Sequence, residues 1–419
     1  MTHDHTNTHS YAPFDLRQFD GAANPNTTTD SGLSDEMRSF YSDYLIDLAE
    51  PELVHEQFGQ RLPIPQGQGK TIQFRRFDPL PEATTALTEG VTPDGQSLNV
   101  SAVTATVAQY GGYVTLSDLL LLTAVDNNLM QATKLIASQA GRTLDTLTRE
   151  VLNAGTVVQY AAGQVASRAA LYYTSAADNC NLTVDAVKKA VRFLETQNAP
   201  KINGFYVGII HPCAKYDLMR DPAWRNPHEY VDTEHLYRNE IGELYGVRFV
   251  QSSRAKVFQA TPLSAGSKCL TVKTAITEST TSVAVKEKLT SADATALAGK
   301  KVMLGESEVT IASASAGNAG SASLTLSAAV SSVAADTLIW PEGAGKDGAD
   351  VYSTLILADD AYGVTEVTGG GLKHIVKQLG SAGTGDALDQ RATCGWKATR
   401  AAELLVPQYL VRIETTASN

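Results

Sequence analysis

Apolar residues first recur at helical spacing over residues 37–48. Met37, Phe40, Tyr41, Tyr44, Leu45 and Leu48 form one stripe behind Ser34, which can cap the first turn. Asp35 and Glu36 lie where the helix dipole favours acids. Pro51 breaks or restarts this helix, and Gly59 ends its second piece. The period then changes. Ile72, Phe74 and Phe77 alternate with Gln73 and Arg75 behind a glycine-rich turn, which predicts a strand. Val103, Ala105 and Val107 alternate with Ala102, Thr104 and Thr106, so a second strand returns. Between them, residues 79–98 are rich in Pro, Thr, Glu and Gly. Residues 61–110 therefore read as a long two-stranded excursion. Two strands alone are marginally stable in water, so this one needs another surface to lie on.

Tyr113–Leu116 reads as a short strand, and Ser117-Asp118 opens a turn or brief helix through Leu122. The strongest helix follows, with Leu129, Ala132, Ile136, Ala140, Leu144, Leu147 and Val151 on one stripe. Gln131, Lys134, Gln139, Arg142, Asp145 and Arg149 form its polar side. Asp126, Asn127 or Asn128 can cap it, and Gly155 closes it. About 25 residues at 1.5 Å each make a strut of roughly 37 Å. A further helix spans 182–198, capped by Thr183 and stopped by Pro200. Phe205–Ile210 is a continuous apolar run, the mark of a strand buried on both faces. His211-Pro212 opens a short helix to Arg220, residues 221–235 are irregular, Glu240–Tyr245 is helical, and Val247–Val250 is a strand. Helix, strand and helix in this order imply an α+β or α/β layer.

The composition shifts near residue 260. From there to Asp350 the only aromatic residue is Trp340, and Ala, Ser, Thr and Val dominate in short alternations separated by turns. This predicts a small all-β module inserted in a parent domain that resumes at Tyr352–Leu357. Residues 366–390, with three glycine clusters, read as a hairpin and loop, and Cys394–Ile413 as closing strands.

The chain has 419 residues, enough for several domains, and 34 basic against 45 acidic residues, a net charge of −11. The acidity is local. Residues 1–60 hold eleven acids and two bases, Arg17 and Arg38, leaving only −2 for all the rest. A chain with this balance is a poor general binder of nucleic acid. The first 32 residues, rich in Thr, Asn, Asp and Gly, read as an arm: either a floppy solubilising tail, or an arm that docks on a neighbouring subunit through Phe14, Leu16 and Phe19 with its acids facing basic groups there. No run approaches the roughly 20 apolar residues of a membrane span, and no signal peptide is expected at the start. Cys180, Cys213, Cys269 and Cys394 are widely spaced, which indicates neither a metal knuckle nor a disulfide framework.

Candidate chemistry is sparse. Gly69-Lys70-Thr71 resembles the end of a phosphate loop, but Ile64 stands where its first glycine belongs, and a strand follows rather than a helix. His228-Glu229 and His235 are spaced too widely for one zinc-binding helix face, and His3, His5 and His9 lie in the arm without fixed geometry. An enzyme would have to use Cys213, at a helix N-terminus, with His211. Neither an oxyanion site nor an orienting acid accompanies them. No catalytic, cofactor-binding or metal residue is expected.

The order of segments resembles phage major capsid proteins of the HK97-like class, and the N4-gp56-type family in particular. The resemblance rests on Leu62-Pro63-Ile64-Pro65 with Gly69-Lys70-Thr71 and Phe74-Arg75-Arg76, on Leu87–Pro93, and on Tyr110–Val114 with Leu116-Ser117-Asp118. It continues through Ala140-Gly141-Arg142, Ile210-His211-Pro212, Gly246–Val250 with Ser253, and Gly395-Trp396-Lys397 leading to Pro407. It covers about 61–258 and 350–416. The fold it implies is α+β. Residues 1–60 would be the N-terminal arm, 61–112 the extended E-loop, and 113–179 the peripheral (P) domain with a spine helix at 127–153. Residues 180–258 would be the axial (A) domain and 259–347 the inserted β domain. Residues 348–363 would return to the A domain, 364–400 would form the P-domain hairpin, and 401–419 the last A-domain strands.

The implied function is a structural shell of hexamers and pentamers enclosing double-stranded DNA, held by enclosure only. The implied partners are other copies of the chain, a portal, a separate scaffolding protein and a decoration protein on the outer surface. The implied location is the virion, after assembly in the host cytoplasm. An encapsulin-like compartment on the same fold and an enzyme using the α/β region are the alternatives. A surface adhesion protein displaying the insert is a third, opposed by the lack of a signal peptide.

Overall fold

The computed structural model describes residues 53–77, 80, 82–84, 86, 89, 95–123, 128–161, 167–175, 179–225, 242–264, 267–305, 307–380, 388 and 390–418. The stripe at 37–48, Ser34, Pro51, the apolar arm residues, the capping candidates Asp126 and Asn127, and His228 and His235 lie outside them.

In chain order the elements are β1 (Gln60–Arg61), β2 (Thr71–Phe77), β3 (Val100–Thr106), β4 (Ala108–Ser117), α1 (Asp118–Thr123), α2 (Asn128–Asn153) and β5 (Val158–Tyr160). Then come α3 (Val184–Thr196), β6 (Tyr206–Ile210), α4 (Pro212–Arg220), β7 (Glu243–Leu244), β8 (Val247–Gln251) and β9 (Val257–Phe258). The insert holds β10 (Leu270–Thr271), β11 (Thr280–Ala284), α5 (Ser291–Leu297), β12 (Lys301–Leu304), β13 (Ser307–Ser315), β14 (Ser323–Val330) and β15 (Leu338–Pro341). The chain closes with β16 (Val351–Leu357), β17 (Tyr362–Thr365), β18 (Lys373–Lys377), β19 (Arg391–Leu404) and β20 (Leu410–Thr415).

The chain divides into two compact units. The larger comprises Ala49–Gly111, Ser138–Leu372 and Lys397–Asn419. Its centre is a seven-stranded sheet in the order β5-β20-β16-β6-β8-β7, with β9 also on β16. Strand β6 is buried throughout. Tyr206 and Ile210 face a core with Val187, Val191 and Leu194 of α3 and Leu218 of α4. Ile209 points the other way, to Leu152, Leu355 and Tyr362. Both faces being covered explains why this strand is apolar at every position instead of alternating. Thr183 caps α3 by accepting the Ala186 N–H at 3.4 Å, as its sequence predicts.

Strands β2 and β3 form a separate antiparallel pair, in register from Thr71 opposite Thr106 to Phe77 opposite Val100. Its base is anchored at Phe74, which is buried. A Cβ added at Gly363 of β17 would lie 2.7 Å from the Phe74 ring, so only glycine lets the hairpin seat this closely. The insert builds a six-stranded sheet, β10-β15-β12-β13-β14-β11, around its own core of Leu270, Val283, Leu297, Val302, Ile311 and Leu324. The smaller unit comprises Met1–Leu48, Gly112–Ala137 and Lys373–Trp396. In it, Thr133 of α2 and His374 of β18 meet at the buried Cys394 of β19, 3.6 and 3.1 Å from its sulfur.

Four expectations need correction. Residues 55–58 form a turn, not a second helical piece, because their polar side chains are drawn into tertiary contacts. Glu243–Leu244 pairs as a strand with β8, where the edge of the sheet offers hydrogen bonds that a one-turn helix would lack. The insert is not all-β: Thr290 and Asp293 form a reciprocal capping box that starts α5. Asp145, assigned to the polar side of the long helix, is fully buried.

Candidate subunit interface

The residues named as an enzyme's pair are already committed to local structure. His211 is the N-cap of α4, and its Nδ1 accepts the Cys213 N–H at 3.2 Å. Its ring packs 4.9 Å from that of Tyr352, and burial holds its pKa below the usual histidine value, which favours the neutral ring. The Tyr352 pKa is pushed up to about 12, first by burial and then by its hydrogen bond with the Cys213 thiol. The imidazole thus serves the backbone and the thiol meets a phenol, so no base activates a nucleophile. Gly67 and Gly69 adopt φ of 87° and 93° in a turn that runs straight into β2, with no helix N-terminus to receive phosphate. Among the described residues no cluster of three or more potential metal ligands occurs, and all four cysteines are free.

The chemistry that is built into the chain is clamping. The backbone N–H of His55 donates to Asp145 at 2.8 Å, and its Nδ1 lies 3.0 and 2.9 Å from the two carboxylate oxygens. Arg254 approaches the same carboxylate at 3.9 Å and donates to Thr146 at 2.8 Å. Tyr362 donates its hydroxyl to the His55 carbonyl at 2.5 Å. Next along the chain, Glu56 accepts from Arg400 at 2.6 Å, and Arg400 also donates to Glu366 at 2.8 Å. Burial raises the Glu56 pKa, an effect that Arg400 opposes. A second clamp joins Arg168 to Glu414 at 2.6 and 2.7 Å; Arg412 pairs with Glu414 at 2.8 Å and donates to the Asn153 carbonyl at the end of α2. Charges this buried persist only when paired. Asp145 ties the segment at His55 to α2, Arg400 ties Glu56 to β19, and Arg412 ties β20 to the end of α2. Sequence reasoning missed both clamps, since their partners lie 90, 344 and 246 residues apart.

Each unit leaves large apolar side chains in water. On the hairpin, Leu80, Leu98 and Val100 are exposed. In the smaller unit, Leu119 and Leu122, three positions apart on α1, are 66% and 81% exposed, and Leu135 of α2 is 71% exposed.

Residues 101–268 match the family model described as phage capsid protein. Among solved structures, the chain is similar to the capsid of Ralstonia phage GP4 at 10% identity and a TM-score of 0.53, over 86% of this chain and 88% of that one. It is similar to the capsid of cyanophage P-SCSP1u at 12% identity and a TM-score of 0.51, over 86% and 87% of the two chains. Less than half of the chain carries the family match, and the two capsids share its fold. The fold is the HK97-like arrangement of mixed helix and strand. No curated protein matches it in sequence. The matches are phage capsids and do not favour a non-viral compartment.

Proposed function

We propose that this chain is a phage capsid protein, the major subunit of an icosahedral shell that encloses the double-stranded DNA of a tailed phage, assembled from hexamers and pentamers in the host cytoplasm. The observation that carries the reading is the β2–β3 hairpin, a two-stranded sheet without a third strand among the described residues. Such a ribbon with apolar residues in water is stable only against another surface, and a neighbouring copy supplies it. In this reading residues 61–112 are the E-loop, α2 is the spine helix of the P domain, and the seven-stranded sheet, apart from β5, belongs to the A domain. The insert, with its own core, stands on the outer surface, where a decoration protein can bind. The acidity outside the arm is slight and offers DNA no adhesive wall, so the genome is retained by enclosure. A portal and a separate scaffolding protein complete the assembly. The motifs around Pro63–Pro65 and Gly111-Gly112 favour the N4-gp56-type subgroup.

Negative-stain electron microscopy of the purified chain, paired with light scattering, tests the reading. Closed shells or rings of five and six subunits are expected. A persistent 44.6 kDa monomer at high concentration refutes it. Alanine at Cys213 leaves particle yield unchanged here and abolishes activity in the enzyme alternative.

A further inference from the structure

Within the larger unit, the root of the insert meets the parent domain around a cavity of about 420 Å³, within the size range of small-ligand sites. The chain enters the insert at Lys268 and leaves it through Lys346–Asp350, and residues 172–174 and 416–417 of the parent complete the wall. Backbone hydrogen bonds fix that wall in place. The Lys346 N–H donates to the Leu171 carbonyl at 2.7 Å. The Tyr172 carbonyl accepts the Cys180 N–H at 3.0 Å and the Thr416 hydroxyl at 3.2 Å.

The lining excludes most classes of ligand. Lys268 and Lys346 balance Asp347 and Asp350, so there is no excess positive charge to hold a phosphate or a nucleic acid. No aliphatic side chain larger than alanine lines the cavity, so it offers little to a lipid tail or to an apolar peptide anchor. No cluster of metal ligands occurs among the described residues. What the cavity does hold is three half-buried tyrosines, Tyr172, Tyr173 and Tyr352, each an apolar ring with a polar tip. Beside them the Lys268 ammonium lies 3.5 Å from Oδ1 of Asp350. That oxygen is buried and accepts no hydrogen bond among the described residues. A buried acceptor without a donor calls for one from outside the chain.

We propose that this cavity binds a neutral carbohydrate, with sugar hydroxyls donating to Asp350 and accepting from Lys268 and the C–H face of the ring lying against the tyrosines. A hydroxyl both donates and accepts, so a neutral polyol satisfies a carboxylate and an ammonium together, which neither an anion nor a cation can do. The apolar face of the sugar then meets the apolar bodies of the phenol rings. The inference goes beyond the shell reading and applies to the chain whether or not it is assembled.

Saturation-transfer difference NMR of the full chain with glucose, galactose, rhamnose, N-acetylglucosamine, maltose, lactose and chitobiose tests it. At least one of these sugars should receive saturation. Asp350→Asn and Tyr173→Ala should each weaken that binding about tenfold or more, the scale of a lost charge-assisted hydrogen bond, while Tyr216→Ala, at an exposed tyrosine of α4, leaves it unchanged. If a variant does not fold, amine footprinting of the unaltered chain with N-hydroxysuccinimidyl acetate replaces it. The bound sugar should then protect Lys268 and Lys346 but not the exposed Lys288. No response to any of these sugars overturns the proposal. Binding that survives both substitutions, or that leaves Lys268 and Lys346 unprotected, places the sugar elsewhere and overturns it as well. Protection by inorganic phosphate and by no sugar overturns it in favour of an anion site. A persistent monomer that still binds sugar through Asp350 refutes the shell reading and upholds this one.

Discussion

Replacing Asp145 by alanine tests whether the buried clamp fixes the root of the arm. The carboxylate accepts the His55 N–H at 2.8 Å and faces its Nδ1 with both oxygens, while His55 and Asp145 are both fully buried. Alanine strands two donors of His55 away from water and leaves Arg254 facing an apolar methyl. Removing one partner of a buried pair costs about 3–5 kcal/mol, more than the roughly 1 kcal/mol of a neutral hydrogen bond. The loss falls on the segment 53–61, whose other anchors include Arg400 on Glu56, Tyr362 on the His55 carbonyl, and the pairing of β1 with β17. At about 1.4 kcal/mol per factor of ten, local opening becomes more than a hundredfold more frequent. Hydrogen exchange read by mass spectrometry on a peptide covering 53–61 should accelerate by that factor, while peptides from β6 stay protected. His55→Ala combined with Asp145→Ala should cost clearly less than the sum of the two single changes. Acceleration below about tenfold, or additivity within about 0.5 kcal/mol, refutes the clamp.

Glu56→Gln bears on the same region through pH. Because burial raises the Glu56 pKa, the folded state holds its proton where the unfolded chain has lost it, so native stability falls as pH rises from the usual glutamate value through the raised one. Thermal melts run upward from the usual glutamate value of about 4.3 should show this loss in the native chain and not in the glutamine variant. His211 has the opposite sign. Its lowered pKa means the unfolded chain binds the proton first, so stability falls as pH drops below about 6.5; His211→Asn keeps a capping acceptor and should remove that part of the dependence. Gly363→Ala drives a methyl into the Phe74 ring and should cost about 1–3 kcal/mol, read as faster exchange in β2 and β3 with the insert unaffected.

Local physics made several elements legible. The 3.6-residue apolar repeat located α2 and α3, because one stripe of each meets a core. The unbroken run at Tyr206–Ile210 announced a strand covered on both faces, and His211-Pro212 marked the start of α4 before any contact was known. Thr290 and Asp293 carried an equally local signal for α5, which the Ala, Ser and Thr background obscured. Contact-forming character was legible too, since an acidic arm and an unsupported hairpin cannot form a stable body alone.

Where charge could be buried was settled only by packing. Asp145 follows the helical period on the polar side of α2, yet lies at zero exposure because His55, 90 residues earlier in the chain, folds onto it. Arg400 and Glu56 meet across 344 residues, and Arg168 and Glu414 across 246. Periodicity reports which side of an element is apolar on average; it carries no information on which charged residue finds a distant partner. Glu243–Leu244 became a strand because β8 was beside it to accept the pairing. Local order along the chain was enough to specify most elements and the need for neighbours. The packed fold selected which of its charges hold the frame and which apolar surfaces remain for another copy to cover, because both depend on residues far apart in the chain.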